Sequence, residues 1–365
     1  MGGVRRPLRP VAPVNHTIPA AQSELYNTLP AEAIGVDVER LITVTTMAEV
    51  EKRRAQLIDY IWKGHGLPAQ QPHVVSGIDE PDLTELRRGR VDRLVVPLAY
   101  QVVSTSYLVW PSGEANGRFA IYHTSHGNPH APPYGTAMLR ATQALLDRGY
   151  AVVVVDMPFL GWNAQPIASP DDPSRLVWPQ SHRIHEILAE YESPDFSALS
   201  IFLEPLAVIV NHLSTVAEPS VVAMVGLSGG AWATTVYALD PRITASFPVA
   251  GSWPFYLRTF PAHKPNHGDW EQRRDALPEF YALAGYLDLY VMGAAGIGRR
   301  QLQILNRFDP VCFQGVPHRS YAPVVEHQVA LLGAGRWGLL DDATHDQHTV
   351  SPYAVSVLMW DLEES

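Results

Sequence analysis

The spacing of apolar residues changes character along the chain. From Thr46 to Lys63, Met47, Val50, Leu57, Ile58 and Ile61 fall on one face of a helix. "TMAE" gives Thr46 and Glu49 the spacing of a capping box, and "GHGLP" from Gly64 to Pro68 stops the helix. Three strand-like runs follow, at Val91–Leu98, Gln101–Trp110 and Arg118–His123. Apolar strands then alternate with amphipathic helices. The helices are expected at Tyr134–Arg148 and Phe196–Thr215, from Gly229, and near Ser351. The strands are Tyr150–Pro158, Val221–Val225, Ala245–Ala250, Gln303–Asn306 and Trp337–Leu340. Unbroken apolar runs such as "YAVVVVDMP" fit strands buried on both faces. The pattern predicts an α/β fold, with a mixed sheet that becomes parallel and helices on both faces.

The same pattern divides the chain. Residues 1–90 read as an N-terminal extension packing on the core, its first forty residues largely extended. Residues 91–252 and 299–365 read as the core. The run 253–298, rich in aromatics and prolines, interrupts the alternation and is expected to be a lid inserted over the sheet. Its aromatic side chains either line an acyl pocket or form the lid's own small core. "GAAGIG" at Gly293–Gly298 lacks a preceding strand and reads as a turn rather than a dinucleotide loop. No internal repeat interrupts the chain.

Composition narrows the classes of partner. With 27 basic and 37 acidic residues the formal net charge is −10, which disfavours nucleic acid or an anionic membrane as main partner. Cys312 is the sole cysteine, so an internal disulfide is impossible and a buried structural thiol is expected. The N-terminus lacks the apolar run of a secretory signal, and no stretch is long enough to span a bilayer. The expectation is a cytoplasmic protein of unspecified oligomeric state, acting on a small molecule.

Chemistry gathers at the carboxyl ends of strands in open α/β sheets. "HTSHGNPH" follows the third strand, Asp156 the fourth, and Ser228 within "VGLSGG" the fifth. Asp309 in "NRFDPVCF" and the histidines of "LLDDATHDQH" follow the last two. A serine, a carboxylate and a histidine therefore occur in that order. On these residues the chain resembles the α/β-hydrolase superfamily from about Val91 onward, "GLSGG" matching its G-x-S-x-G elbow.

The resemblance implies roles. Ser228 is the nucleophile, with Gly226 and Gly230 as elbow glycines relieving a crowded turn. His126 and Gly127 match the His-Gly pair of an oxyanion loop, so the backbone amides of Asn128 and Gly229 are expected to form the hole. "HGNP" is also similar to the loop of haloalkane dehalogenases and epoxide hydrolases, but those families attack with an aspartate, and this elbow carries serine. Asp309 is the expected acid, against the plainer reading of a turn cap. His345 is preferred as the base, with His348 as the alternative, because the family's histidine often precedes a helix-opening proline, here Pro352.

The expected activity is hydrolysis of a carboxylic ester, or an amide, lactone or thioester, through an acyl-enzyme. The alternatives are acyl transfer by the same intermediate and a non-catalytic small-ligand binding protein. His123, His126, His130, His345 and His348 are all expected near one cleft. "HTSH" lies on a strand end and loop without a supplementing cysteine or glutamate cluster, so no metal and no cofactor are expected. His123 is expected to support the oxyanion loop from behind.

Overall fold

The computed structural model describes residues 10–13, 18, 21, 23–180, 184–263 and 265–363. The parts of the expected extended start at 1–9, 14–17, 19–20 and 22 lie outside the described residues. The N-terminal helix α1 (Met47–Trp62) forms as its spacing predicts. Thr46 caps it and both halves of the capping box are present, while Lys63 ends it in the left-handed conformation.

Strands β1 (His73–Ser76), β2 (Arg88–Pro97), β3 (Val103–Pro111) and β4 (Phe119–His123) precede helix α2 (Tyr134–Leu146) and β5 (Ala151–Val155). A small ribbon, β6 (Ile167–Ala168) with β7 (Leu176–Val177), leads to α3 (Ser200–Val216), β8 (Val222–Leu227), α4 (Gly229–Tyr237) and β9 (Ala245–Val249). Helices α5 (Pro278–Leu283) and α6 (Tyr286–Ala294) come next. The chain closes with β10 (Arg300–Asn306), α7 (Ala322–Leu331), β11 (Arg336–Asp342) and α8 (Pro352–Glu363).

Among the described residues the main sheet has nine strands, in the order β1-β2-β3-β5-β4-β8-β9-β10-β11. Pairings from β1 through β3 to β5 are antiparallel, and the remainder are parallel. This is the mixed-then-parallel sheet that the apolar pattern predicts. The pleat divides the core in two. Phe119, Ile121, Ala151 and Val153 pack in the cluster containing α3, α4, α6 and the N-terminal helix. Ala120, Tyr122, Val152 and Val154 pack with α2 and α8 on the opposite face. Successive residues of a strand point to opposite faces, so strands covered on both sides must be apolar throughout.

The N-terminal extension is fixed to the layer of helices. Val44, Val50 and Leu57 are buried. The Thr43 and Val44 amides donate to Asp288 at 2.6 and 3.1 Å, tying the extension to the first turn of α6. The run 253–298 divides into two parts. Its second half contributes α6, which packs against the sheet as an ordinary covering helix and buries Tyr286, Leu289 and Tyr290. Its first half carries the cleft-lining residues described below. Among the described residues no helix is long and apolar enough to cross a membrane.

Candidate active site

Strand β8 delivers Ser228 at its carboxyl end, with φ 59° and ψ −111°. Such a positive φ is strained for a residue with a side chain. The Ser228 amide donates to Val249 at 2.8 Å and its carbonyl accepts from Ala231 at 3.0 Å, which holds the conformation. The flanking glycines are required by close approach. A Cβ on Gly226 would lie 2.0 Å from the Gly230 carbonyl oxygen, and one on Gly230 would lie 2.2 Å from the His123 carbonyl oxygen. Helix α4 starts at Gly229, so the Gly229 N–H falls in a first turn that offers it no intrahelical acceptor. The positive end of the helix therefore faces the serine.

Ser228 opens on a cavity of about 500 Å³ whose walls include His126, Gly127, Tyr134, Cys312 and His348. His348 Nδ1 lies 2.7 Å from Asp309 Oδ2, and its Nε2 has no hydrogen-bond partner among the described residues. Asp309 is fully buried, and its Oδ1 accepts the Val311 and Cys312 amides at 2.8 and 3.0 Å. That turn gives Asp309 its fixed direction. Asn306, at the end of β10, donates to the Thr349 carbonyl at 2.9 Å and so ties the histidine loop to the acid's strand. Burial works against charge on His348, but the Cys312 sulfur and the Asp309 carboxylate outweigh it and hold the ring well above the usual histidine range.

The preferred histidine is not the one brought to Asp309. His345 Nε2 sits 3.4 Å from Asp342, and its Nδ1 accepts the Gln347 amide at 3.1 Å. Asp342 closes β11 and captures the ring three residues on, so His345 serves the turn while His348, farther along, reaches Asp309. Cys312 is half-buried and lies on the wall of the same cavity, its sulfur 4.0 Å from His348 Nδ1. It is not the enclosed thiol expected from sequence, because the turn that feeds amides to Asp309 also turns its side chain to the cleft.

The oxyanion loop is braced on both sides. His123 is buried, contacts the Thr124 carbonyl through Nδ1 at 3.2 Å, and is pushed down to about 4 by desolvation, so it stands neutral behind the elbow. His130 spans two carboxylates, Asp82 at 2.8 Å and Asp156 at 2.9 Å. Burial opposes its charge, and Asp156 and Asp82 raise it above the ordinary value. Asp156, at the end of β5, also accepts from Thr124 and from the Trp162 amide. It belongs to this brace and not to the cavity wall. Gly127 packs against the Tyr134 ring, where any Cβ would collide, and its amide donates to Ser125 Oγ at 3.2 Å. Asn128 is exposed and outside the cavity lining, its side chain accepting the His130 amide at 3.4 Å. His126 lies over Gly229, whose Cβ, if present, would be 2.4 Å from the imidazole Cε1.

Segment 265–272 forms the far wall through Asn266, His267, Asp269 and Gln272. Most aromatics of 253–290 do not reach the cavity. Trp253, Trp270, Tyr281 and Tyr286 are buried, with Trp232 donating to Tyr281 at 2.9 Å, and they form the local core. Among the described residues, two side-chain groups have the makings of a metal site: Asp309–Cys312–His348, and His126–His185–Glu271. Sequence spacing offered no signal for His185 or Glu271. They lie 59 and 145 positions beyond His126, in segments without regular periodicity.

Several solved structures share this architecture over most of the chain. The acetyl xylan esterase from Paenibacillus sp. R4 is 13% identical with a TM-score of 0.53, covering 90% of this chain and 98% of that one. Acetyl xylan esterase 1 from Thermoanaerobacterium sp. JW/SL YS485 is 14% identical with a TM-score of 0.54, covering 89% and 97%. A CE15 glucuronoyl esterase from Teredinibacter turnerae T7901 is 12% identical with a TM-score of 0.55, covering 90% of each chain. No protein-family model matches the sequence, and no curated protein matches it. At these identities the likeness establishes the fold: the chain has the α/β-hydrolase fold.

Proposed function

We propose that the protein is a serine hydrolase acting on carboxylic esters, with Ser228 as nucleophile, His348 as general base and Asp309 as the group that orients it. One observation carries this reading. The elbow serine shares a cavity with a histidine that is bonded to a buried carboxylate through one nitrogen and unpartnered at the other. Asp309 fixes the proton on Nδ1, leaving Nε2 to accept the Ser228 proton as Oγ attacks the acyl carbon. His348 then returns that proton to the departing alkoxide, and water attacks the acyl-enzyme with the same base. The Gly229 amide, at the positive end of α4, meets the developing oxyanion together with a backbone amide of the loop that carries His126, the Gly127 amide being given to Ser125 Oγ.

The polar wall of Asn266, His267, Asp269 and Gln272 suits a small acyl group on a polar alcohol better than a long aliphatic chain. The shared fold of the acetyl xylan esterases points the same way, as analogy. The test is labelling with a fluorophosphonate and mapping of the modified residue, followed by turnover on acetyl, butyryl and octanoyl esters. Modification at Ser228 and a preference for acetyl esters are expected. An unlabelled Ser228 in folded protein would overturn the reading.

A further inference from the structure

Three side chains from distant segments meet at the edge of the cavity, outside the Ser228–His348–Asp309 set. His126 comes from the oxyanion loop, His185 from the 3-10 segment Ile184–Glu190, and Glu271 from the 3-10 turn Trp270–Gln272. The ligand-type atoms of all three lie within 4.8 Å of one another. His126 Nε2 is 2.9 Å from Glu271 Oε1, and His185 Nδ1 is 3.1 Å from Glu271 Oε2. Glu271 and His185 are fully buried.

Each imidazole has its other nitrogen already placed. His126 Nδ1 is 3.1 Å from Asp269, and His185 Nε2 is 3.0 Å from the Pro158 carbonyl. Both partners are acceptors, so each fixes an N–H on its own side. In the neutral rings the remaining lone pairs then face the Glu271 carboxylate, an arrangement relieved either by a second proton on each ring or by a metal ion held between them. His126 Nε2 is buried and makes no aligned hydrogen bond despite its short separation from Glu271. A carboxylate or carbonyl behind each ring is the usual outer support of a metal-binding histidine. The spacing also fits. Two imidazoles on one tetrahedral zinc, with Zn–N near 2.0–2.1 Å, hold their ring centroids about 5 Å apart. The observed separation is 5.0 Å.

We propose that His126, His185 and Glu271 bind one divalent transition-metal ion, with zinc the best match to two imidazoles and a carboxylate. The ion joins the oxyanion loop, the segment after β7 and the cavity's far wall. Because the His126 ring lies directly over Gly229, the ion positions the oxyanion loop against the elbow. It takes no part in the proton transfers proposed for His348, and its presence does not depend on Ser228 being reactive.

The test uses the full chain, purified from zinc-supplemented medium and assayed for metal by mass spectrometry. Chelator-stripped protein is then titrated with Co²⁺ and, separately, with Zn²⁺. One equivalent of bound metal, a Co²⁺ visible spectrum saturating at one equivalent, and a rise in Tm with Zn²⁺ are expected. His185→Gln and Glu271→Gln should abolish the spectrum, while Asp269→Asn, which alters only the outer support, should weaken binding about 10- to 100-fold. Cys312→Ser distinguishes the other cluster. If Co²⁺ shows a sulfur charge-transfer band that this variant removes, the ion sits at Asp309–Cys312–His348 and the proposal fails. It also fails if folded wild-type protein binds neither ion stoichiometrically, which would leave a metal-free cluster of protonated histidines and carboxylates. Should the His185 and Glu271 variants not fold, the wild-type titration and the Asp269 variant still decide.

Discussion

Two histidine–carboxylate clusters border the cavity of Ser228, and they differ in what they leave open. At Asp309, one ring meets one carboxylate through a 2.7 Å contact, and His348 Nε2 has no hydrogen-bond partner among the described residues. At Glu271, all four nitrogens of two rings face an oxygen at 2.9 to 3.1 Å. Both clusters are largely buried and both lie beside the elbow, so neither burial nor proximity separates their roles. What faces the outer nitrogen does. His348 lines the Ser228 cavity and its Nε2 makes no ion pair among the described residues, whereas His126 Nε2 and His185 Nδ1 each lie within 3.1 Å of a Glu271 oxygen that would hold any proton placed there. The second arrangement suits a clamp, and the first suits a general base.

The largest expected effect tests which ring is the base. Ser228→Ala and His348→Ala should each lower kcat by about a millionfold on a short-chain aryl ester, by analogy with subtilisin. His345→Ala, which disturbs only the Asp342 turn, should cost less than about tenfold on that scale. A His345 variant as inactive as the His348 variant would reverse the assignment. Asp309→Asn comes next. Presenting an amide to Nδ1 favours the wrong tautomer, and a loss of about 10⁴ in kcat is expected. A loss confined to KM would mean that Asp309 is a turn cap after all.

The open ring should also show itself in the pH profile. Protonated His348 cannot accept the serine proton, so kcat/KM rises as pH climbs through its pKa. Cys312 and Asp309 hold that value above the ordinary one, so the acid limb should fall above about pH 6.5. Cys312→Ala should move the limb to lower pH, and an unmoved limb would show that the sulfur does not bias the base. For stability the sign is opposite. A raised folded pKa contributes stability that is fully present below about pH 6.5 and is lost as pH rises through the folded value.

The contrast between the clusters also explains what could be read in advance. The elbow was legible because its chemistry is local: one strand, a glycine on each side and a helix start, all within Val222–Tyr237. Asp309 was legible because it ends a strand. Choosing between His345 and His348 depended on how Asp342 folds the loop after β11, a packing outcome that spacing does not encode. The His126–Gly127 loop lies against the elbow, and the Asn128 side chain is exposed and accepts the His130 amide, a detail of loop packing that the motif does not encode. The His126–His185–Glu271 cluster left no trace in local sequence, since each member is brought in by a different segment. The helix α6 was hidden for a related reason: hydrophobic all round, it lacks the periodic stripe that marks an amphipathic helix.

Smaller effects probe the frame that both clusters share. Gly230→Ala sets a methyl against the His123 carbonyl at the crossing of β4 and α4, where two backbones meet and neither can yield like a side chain. A loss of about 1–3 kcal/mol in denaturant unfolding is expected. Turnover should also fall, because the collision lies under the elbow. The smallest change lies farthest from the cavity, at the first turn of α1. The Thr46 hydroxyl accepts the Glu49 amide at 3.2 Å, so Thr46→Ala should cost about 1 kcal/mol of stability. The helix docks through Val50, Leu57 and Ile61, none of which the change touches, so kcat and KM should stay as in the wild type. If turnover falls with that cap, the N-terminal extension shapes the cavity through Asp288 and α6. The two clusters would then be held by one cooperative frame reaching back to residue 43, and not by the elbow and its loops alone.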